Sequence, residues 1–197
     1  MKVIGITGGV GCGKSLVLDL IKANFNAYIV KADDISRNIL DKDTAGYYKV
    51  LEVFGDAILK SDDTIDRAKL ADIVFNSRNK LMVLNSIVHP LVKSKIIEIM
   101  GDIRCAGNYD YFVVEAALLF DDHYEIFCDE TWYIYADVDS RKRRLKESRG
   151  YSEEKCESIM SNQMSEEEFR SKCDFVINNS GTVDETLIQL KKMLVVE

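Results

Sequence analysis

Short runs of apolar, β-branched and aromatic residues alternate along the chain with stretches whose apolar residues recur at helical spacing. The runs predict strands at 2–7, 27–31, 111–116, 131–136 and 174–178. Helical spacing follows over 16–25, 140–148 and 152–163, and capping boxes predict further helix starts at Ser165 and Thr182. Strands that alternate with helices predict an α/β fold with a parallel sheet and right-handed crossovers.

The stretch from Ile35 to about Ile103 departs from this alternation, because its apolar residues recur only at helical spacing. We expect Pro90, the one proline of the chain, in the first turn of a helix, and His89 before it to stabilise a turn. Ligands of parallel α/β folds bind at the carboxyl ends of the strands. The helical stretch is therefore interpreted as an insertion beside that edge, and the helices over 140–163 as a second insertion.

Residues 8–15 connect the first predicted strand to the first predicted helix. They read Gly-Gly-Val-Gly-Cys-Gly-Lys-Ser, which fits the phosphate-loop motif G-x-x-x-x-G-K-[ST] at every fixed position. Glycines let backbone N–H groups turn toward phosphate oxygens, Lys14 can reach the terminal phosphates, and the Ser15 hydroxyl can bind Mg²⁺. The chain is therefore predicted to bind a nucleoside triphosphate. The predicted contacts come from Gly8, Gly9, Gly11, Cys12, Gly13, Lys14, Ser15 and Leu16.

An insertion on each side of a phosphate site suggests a small kinase, in which one insertion holds the acceptor and the other covers the triphosphate. We therefore expect a single domain over 1–197. Its core would comprise about 1–34, 105–139 and 171–197, its acceptor-binding insert about 35–104, and its lid about 140–170.

The composition is that of a globular protein, with 47% hydrophobic and 30% charged residues in 197. The net charge of −7 argues against a nucleic-acid groove, because phosphate backbones select basic surfaces. The N-terminal apolar stretch is broken by glycines, unlike a signal peptide, and no apolar run approaches the ~18 residues that span a bilayer. We expect neither nucleic acid nor membrane as a partner.

The five cysteines are widely spaced and include no C-x-x-C pair, which is typical of reduced thiols in a cytoplasmic protein. Cys12 stands out because a thiol at a helix N-terminus can have a lowered pKa. The alternative interpretation is a small side chain at a variable position of the loop.

Two carboxylates follow predicted strands. Asp33 comes after the second strand and could accept the proton of an attacking hydroxyl or bind Mg²⁺; alternatively, Asp33 or Asp34 caps the next helix. Glu115 lies at the end of the third strand's apolar run, where an unpaired carboxylate would be costly to bury. It could serve the metal or pair with a basic residue.

The densest basic cluster of this acidic chain covers residues 141–146, in a predicted helix. Arg141 and Arg144 would share one helical face with Leu145. Guanidinium groups suit the spread charge of a transferring phosphoryl group. A solvated face or a localisation tag is the alternative.

Further motifs occur in a fixed order along the chain. They are Ala32-Asp33-x-Ile35-x-Arg37, Ile65-Asp66-Arg67-x-x-Leu70, Leu84-Asn85-x-Ile87-x-His89-Pro90, Leu118-Leu119-Phe120, Arg144-Leu145, Gln163 and Val176-Ile177-x-Asn179-x-Gly181. With the phosphate loop, this ordered set resembles the dephospho-CoA kinase family from Lys2 to about Gly181.

The resemblance implies a P-loop kinase core with a helical acceptor-binding insert and a helical lid. It also implies ATP-dependent phosphorylation of the ribose 3′-hydroxyl of dephospho-CoA, the last step of coenzyme A synthesis. In that family the positions of Asp33, Lys14 and Arg144 are the catalytic base, the phosphate clamp and the lid arginine. Ser15 takes the place of the Mg²⁺ ligand.

The resemblance also implies residues for the two substrates. Asn179 is similar to a family residue near the adenine of ATP. Arg67 and His89, with Glu115, would help to form the acceptor side. The implied partner is a small molecule, dephospho-CoA, and we expect a monomer or a weak homo-oligomer.

The chain departs from the family pattern at three places. The family's Asp-Val-Pro-Leu-Leu-Phe-Glu stands as Glu-Ala-Ala-Leu-Leu-Phe-Asp at 115–121. Arg141 replaces a glutamine, and Ser148 replaces a second lid arginine, with Arg149 beside it. Which of Arg141, Arg144 and Arg149 contacts the triphosphate therefore stays open.

Two other functions are compatible with a phosphate loop. One is a kinase for another small metabolite or a nucleotide. The other is a GTP-binding switch, which would carry an Asn-Lys-x-Asp segment. Asn79-Lys80 is followed by Leu81-Met82, so this segment is missing.

Overall fold

A computed structural model describes residues 1–194, which form two compact units. The first unit contains Met1–Ile29 and the chain from Ala106 onward, and the second contains Val30–Cys105. The helical insert predicted over 35–104 falls within the second unit. The last three residues of the predicted core, 195–197, lie outside the described residues.

A five-stranded sheet has the strand order β2-β3-β1-β4-β5. The pairs β1–β3, β1–β4 and β4–β5 are parallel, with Ile4 opposite Val113 and Trp132 opposite Phe175. This confirms the predicted α/β fold, since parallel neighbours require crossover connections. The strands are β1 Lys2–Thr7, β2 Ala27–Lys31, β3 Tyr111–Glu115, β4 Glu130–Tyr135 and β5 Phe175–Asn178.

Nine α-helices occur within residues 1–194. They are α1 Lys14–Asn24, α2 Ala32–Ile39, α3 Ala45–Phe54, α4 Arg67–Phe75, α5 Arg78–Ala106, α6 Val138–Arg149, α7 Glu153–Ser161, α8 Glu166–Lys172 and α9 Val183–Met193. Two short 3₁₀ helices span Asp56–Ile58 and Tyr124–Phe127.

The first unit is built around the β-sheet. Its main core joins the strand residues Ile4, Val113 and Trp132 to Ile21 of α1 and Leu190 of α9. A smaller cluster packs Tyr133 of β4 against Phe169 of α8, whose rings stack at 4.7 Å. Because both β1 and β4 are buried in the sheet, the loop that follows β1 starts from a rigid support.

The second unit has a core of its own. Tyr47 and Val50 of α3 pack there with Ile58, Ile65 and Leu70. From Ile35 to Ile103 the bridge between Leu59 and Ile65 is the one pairing of extended backbone, so the prediction of a helical stretch there is confirmed.

Pro90 lies inside α5, so the prediction that it starts a helix is wrong. A proline removes one N–H from the helical ladder, here the donor to the Ser86 carbonyl. The helix continues through it because Val88 and Val92 on either side, and Ile96 one turn on, are buried. His89 is therefore a helical residue, and the turn expected at this point of the chain is absent.

Both predicted capping boxes are confirmed. The Thr182 hydroxyl accepts from the Glu185 N–H at 3.3 Å, and the Glu185 carboxylate accepts from the Thr182 N–H at 2.8 Å. Ser165 and Glu168 form the same pair of bonds at the start of α8. These side chains satisfy N–H groups that the first helical turn leaves without partners.

Thr182→Ala should lower the free energy of unfolding by about 1 kcal/mol, because it removes the acceptor for the first turn of α9. Thr182→Ser keeps the hydroxyl and should stay close to the parent protein. Urea denaturation followed by circular dichroism measures both variants. Equal stability of the alanine and serine variants would contradict this account of the cap.

Candidate active site

Gly11 and Gly13 give the phosphate loop its shape. Gly11 has φ +77° and Gly13, the N-cap of α1, has φ +87°, a backbone region that favours glycine. A Cβ atom on Gly11 would also lie 2.9 Å from the Arg141 carbonyl oxygen and 3.0 Å from Cγ of Leu145. Glycine is therefore required both by the turn and by the close approach of the loop to α6.

Positively charged side chains bind three carbonyl oxygens of this segment. Lys14 Nζ donates to the Gly8 carbonyl at 2.8 Å, Arg141 Nε to Val10 at 2.8 Å, and Arg144 Nη1 to Cys12 at 3.2 Å. Bonds from charged donors are stronger than bonds between neutral groups. The loop is thus held from its carbonyl side by a lysine and two arginines.

The basic cluster of α6 has two faces. Arg141 and Arg144 both contact the loop, so the prediction that they share a face is confirmed, and a solvated face is excluded for these two. Lys142 points elsewhere and pairs with Glu153 and Glu157 of α7 at 3.0 and 2.6 Å. These carboxylates raise the pKa of Lys142.

Arg149 is not among the residues that contact the loop. It is exposed at the end of α6, and its guanidinium carbon lies 5.9 Å from the centre of the Tyr151 ring. Within the first unit the structure therefore brings Arg141 and Arg144 to the loop and leaves Arg149 outside.

Asn179 has a buried side chain that bonds to the loop. Its amide donates to the Cys12 carbonyl at 2.8 Å and accepts from the Thr186 hydroxyl at 3.0 Å. The backbone carbonyl of Asn179 accepts from Arg144 Nη2 at 2.7 Å. The structure thus places Asn179 as a support of the loop, and its contact with adenine stays a prediction.

Sequence reasoning assigned no role to two of the residues that support the loop. Thr186 of α9 completes the hydrogen bonding of Asn179, and Gln163 accepts from the Val10 N–H at 2.9 Å. Thr186 carries no sequence signal, because it lies in an ordinary helical turn. Gln163 belongs to the ordered motifs, which was a signal of importance without an indication of chemistry.

Glu115 lies beside Lys14. Its Oε1 is 3.8 Å from Lys14 Nζ, and the two side chains are 13% and 17% exposed. Glu115 therefore pairs with a basic residue, which was one of the two alternatives for it. The pair also places a carboxylate beside the lysine of the phosphate loop, where a phosphate-bound cation would need oxygen ligands.

Cys12 is 1% exposed, and burial raises the pKa of its thiol, although the charge of Lys14 opposes the shift. The prediction that its pKa could be lowered is wrong, because removal from water disfavours a thiolate more than Lys14 favours it. Its side chain belongs to the apolar core with Val17 and Leu18. The alternative of a small packed side chain fits the structure.

A cavity of about 420 Å³ lies beside the first glycine of the loop. It is of the size that takes part of a small-molecule ligand. Its lining residues are Gly8, Ala117, Leu118, Leu119, Phe120, Asp121, Asn162, Gln163, Met164, Glu168, Phe169 and Lys172.

Asp33 lies in the second unit, in the first turn of α2, and is exposed. The alternative that Asp33 or Asp34 caps this helix is wrong, because the helix begins at Ala32 with Lys31 at the N-cap position. Both carboxylates instead lie within the first turn, where negative charge favours the helix dipole. The carboxylate of Asp33 is therefore not used as a cap.

Arg67 and His89, the residues predicted for the acceptor side, lie in the same unit. Arg67 Nη2 donates to the Arg37 carbonyl at 2.8 Å and pairs with Asp41 at 3.1 Å. His89 is half-buried within α5. Arg67 therefore holds the end of α2, the helix that carries Asp33.

Comparison with known families agrees with these features. The family model described as dephospho-CoA kinase matches residues 2–185. The chain belongs to this family. A dephospho-CoA kinase of Carboxydothermus hydrogenoformans is 37% identical over 98% of this chain and 93% of its own length, and one of Arabidopsis thaliana is 34% identical over 99% and 83%.

Solved structures extend the comparison to the fold. The dephospho-CoA kinase from Campylobacter jejuni has a TM-score of 0.71 at 27% identity and covers 98% of both chains. A Thermus thermophilus protein reaches a TM-score of 0.82 at 26% identity, over 100% of this chain and 98% of its own. The family assignment confirms a P-loop kinase that uses a nucleotide and a small-molecule substrate, and it decides against a signalling switch.

Within residues 1–194, no helix is both long and apolar enough to cross a membrane.

Cys12 should resist alkylation in the native protein, because its thiol is buried and its pKa is raised. Iodoacetamide at pH 8 should label the exposed Cys105 at least about tenfold faster. Peptide mass spectrometry with and without denaturant measures both rates. Equal labelling of the two cysteines before denaturation would contradict this prediction and indicate that the Cys12 thiol is reactive.

Proposed function

We propose that this kinase transfers the γ-phosphoryl group of ATP to the ribose 3′-hydroxyl of dephospho-CoA, giving coenzyme A and ADP. The observation that carries the proposal is the match to the dephospho-CoA kinase family over residues 2–185. The supported phosphate loop in the first unit gives the chain the means to hold a triphosphate.

Transfer of a phosphoryl group requires positioning and charge neutralisation more than covalent chemistry. In the proposed mechanism, N–H groups of Gly8, Gly9 and the segment from Gly11 to Leu16 bind the triphosphate oxygens, and Lys14 binds the terminal phosphates. Arg141 and Arg144 stabilise the charge that spreads over the transferring group. Their contacts with the loop support this role, because both guanidinium groups are already held at the segment that would carry the phosphates.

Mg²⁺ is proposed as the metal, and the donor set present fits it. The ion prefers hard oxygen ligands and is commonly held by one or two protein groups together with substrate phosphates. Ser15 offers an exposed hydroxyl in the first turn of α1, and Glu115 offers a carboxylate beside Lys14. The metal would supply charge neutralisation, with Ser15 as its ligand and Glu115 serving either the metal or the acceptor.

Asp33 is proposed as the catalytic base that accepts the proton of the 3′-hydroxyl. Its support is the exposed carboxylate, which is not used as a cap, and its place in a motif of the family. Arg67 and His89 are proposed to help bind the acceptor. We further propose that the enzyme acts in the cytoplasm as a monomer or weak homo-oligomer.

The choice of acceptor is tested by ADP release with a panel of acceptors: dephospho-CoA, nucleoside monophosphates, shikimate and gluconate. We expect ADP release that depends on dephospho-CoA and on ATP in preference to GTP. A selective response to any other member of the panel would replace the proposed acceptor.

Asp33→Asn should lower kcat by about 100-fold or more, because an amide cannot accept the proton. Calorimetry should show an affinity for a non-hydrolysable ATP analogue close to that of the parent protein. Asp34→Asn is the matched control, since Asp34 is exposed in the same turn and pairs with Arg37 at 3.5 Å. Parent-like turnover in Asp33→Asn would remove Asp33 from the mechanism.

A further inference from the structure

Gln163 lies between α7 and α8 and joins this connection to the phosphate loop. Its Oε1 atom accepts from the Val10 N–H at 2.9 Å and from Arg141 Nη2 at 3.1 Å. Both partners are donors only, since a backbone N–H and a guanidinium group cannot accept. The chemistry of the contacts therefore fixes the side-chain oxygen, and not the nitrogen, at this point.

The contacts among Gln163, Val10 and Arg141 form a closed ring. Arg141 Nε donates to the Val10 carbonyl at 2.8 Å, while Val10 N–H and Arg141 Nη2 both donate to Gln163. A single bond would leave the guanidinium group free to rotate about it. Two bonds to different atoms fix its plane, as in other forked guanidinium contacts.

The plane of the Arg141 guanidinium group lies against Gly9, the residue before Val10. A Cβ atom on Gly9 would meet the Arg141 guanidinium group, with Nη1 at 3.1 Å from it. Arg141 thus packs directly on the loop backbone, and the hydrogen bond to Gln163 holds Nη2 of Arg141 in this position. Arg144 is held separately, by the carbonyls of Cys12 and Asn179.

We propose that Gln163 is a positioning residue, which acts on the triphosphate through Arg141. It holds the guanidinium plane on the loop with a neutral acceptor, so that Arg141 keeps its full positive charge for the phosphates. The proposal rests on the proposed role of Arg141 in nucleotide binding. It does not depend on the identity of the acceptor.

The neutral charge of Gln163 separates this role from a purely structural one. A carboxylate at the same position would accept the same two hydrogen bonds and preserve the fold. It would also neutralise Arg141 and place a negative charge near the triphosphate. A bond that served only the fold would tolerate Gln163→Glu. The proposed role would not, because it requires the acceptor to be neutral as well as correctly placed.

The experiment measures the affinity of the full chain for the β,γ-imido analogue of ATP by calorimetry, so that no acceptor is needed. Gln163→Met should weaken binding about tenfold, the size of effect seen for hydrogen bonds to charged groups. Gln163→Glu should weaken binding as well, with a melting temperature equal to or above that of the parent.

Gln189→Met is the matched control. Gln189 Oε1 also accepts a backbone N–H, that of Asn178 at 2.9 Å, with no arginine in the contact. This variant should lower the melting temperature and leave the affinity close to the parent value. Gln189 Nε2 also donates to the carbonyls of Asn178 and Glu185 at 2.8 and 3.1 Å. The comparison therefore removes the general effect of losing glutamine-to-backbone bonds.

The coupling to Arg141 is tested in a double-mutant cycle. In the Arg141→Lys background, Gln163→Met should cause little further loss of affinity, because the group it positions is gone. Additive losses, or parent-like affinity in Gln163→Glu, would overturn the proposal. If Gln163→Met does not fold, Gln163→Glu alone decides, since it retains both hydrogen bonds.

A failure of the proposed acceptor would be seen separately. It would show as a different response in the acceptor panel, while the affinities for the ATP analogue and their coupling would be unchanged. The two proposals can therefore fail independently.

Discussion

A phosphate-binding loop has to present backbone N–H groups to its ligand, and its carbonyl oxygens must then be satisfied by the protein. In this chain Lys14, Arg141, Arg144 and Asn179 donate to the carbonyls of Gly8, Val10 and Cys12. The rest of the first unit is arranged to bring those donors to one place. Because most of the donors are cations, the groups that stabilise the loop also create positive charge where a triphosphate would bind.

This constraint explains why elements distant in sequence meet at the loop. Asn179 follows β5, which pairs with β4, and β4 pairs in turn with β1, from which the loop begins. The Asp137 N–H at the start of α6 donates to the Ser180 hydroxyl, so α6 and the segment after β5 are tied together. Thr186 and Gln163 complete the arrangement from α9 and from the α7–α8 connection. The sheet thus sets the positions from which the arginines and Asn179 reach the loop.

The second unit contributes to the proposed chemistry in a different way from the first. It has its own apolar core, and its contribution to the proposed chemistry is a small number of polar side chains on helices. Asp33 lies in the first turn of α2, whose C-terminal end is held by Arg67. Lys31 at the N-cap leaves the Asp33 carboxylate without a capping role. A small number of positioned polar groups on a separately packed unit suits the binding of a second substrate.

By itself, the sequence determined the strand positions, the loop motif, both capping boxes, the α/β class and the family, because each depends on local spacing or on an ordered set of motifs. It misplaced Pro90, since buried neighbours carry a helix through a proline whose local preference is to begin one. The sequence also left the pKa of the Cys12 thiol open. Burial decides this pKa, and the burial results from the packing of α1 on the sheet. Only the tertiary structure showed that Arg141 and Arg144, and not Arg149, contact the loop, and that Asn179, Thr186 and Gln163 support it. Those roles depend on contacts between residues up to 167 positions apart, which no local pattern encodes.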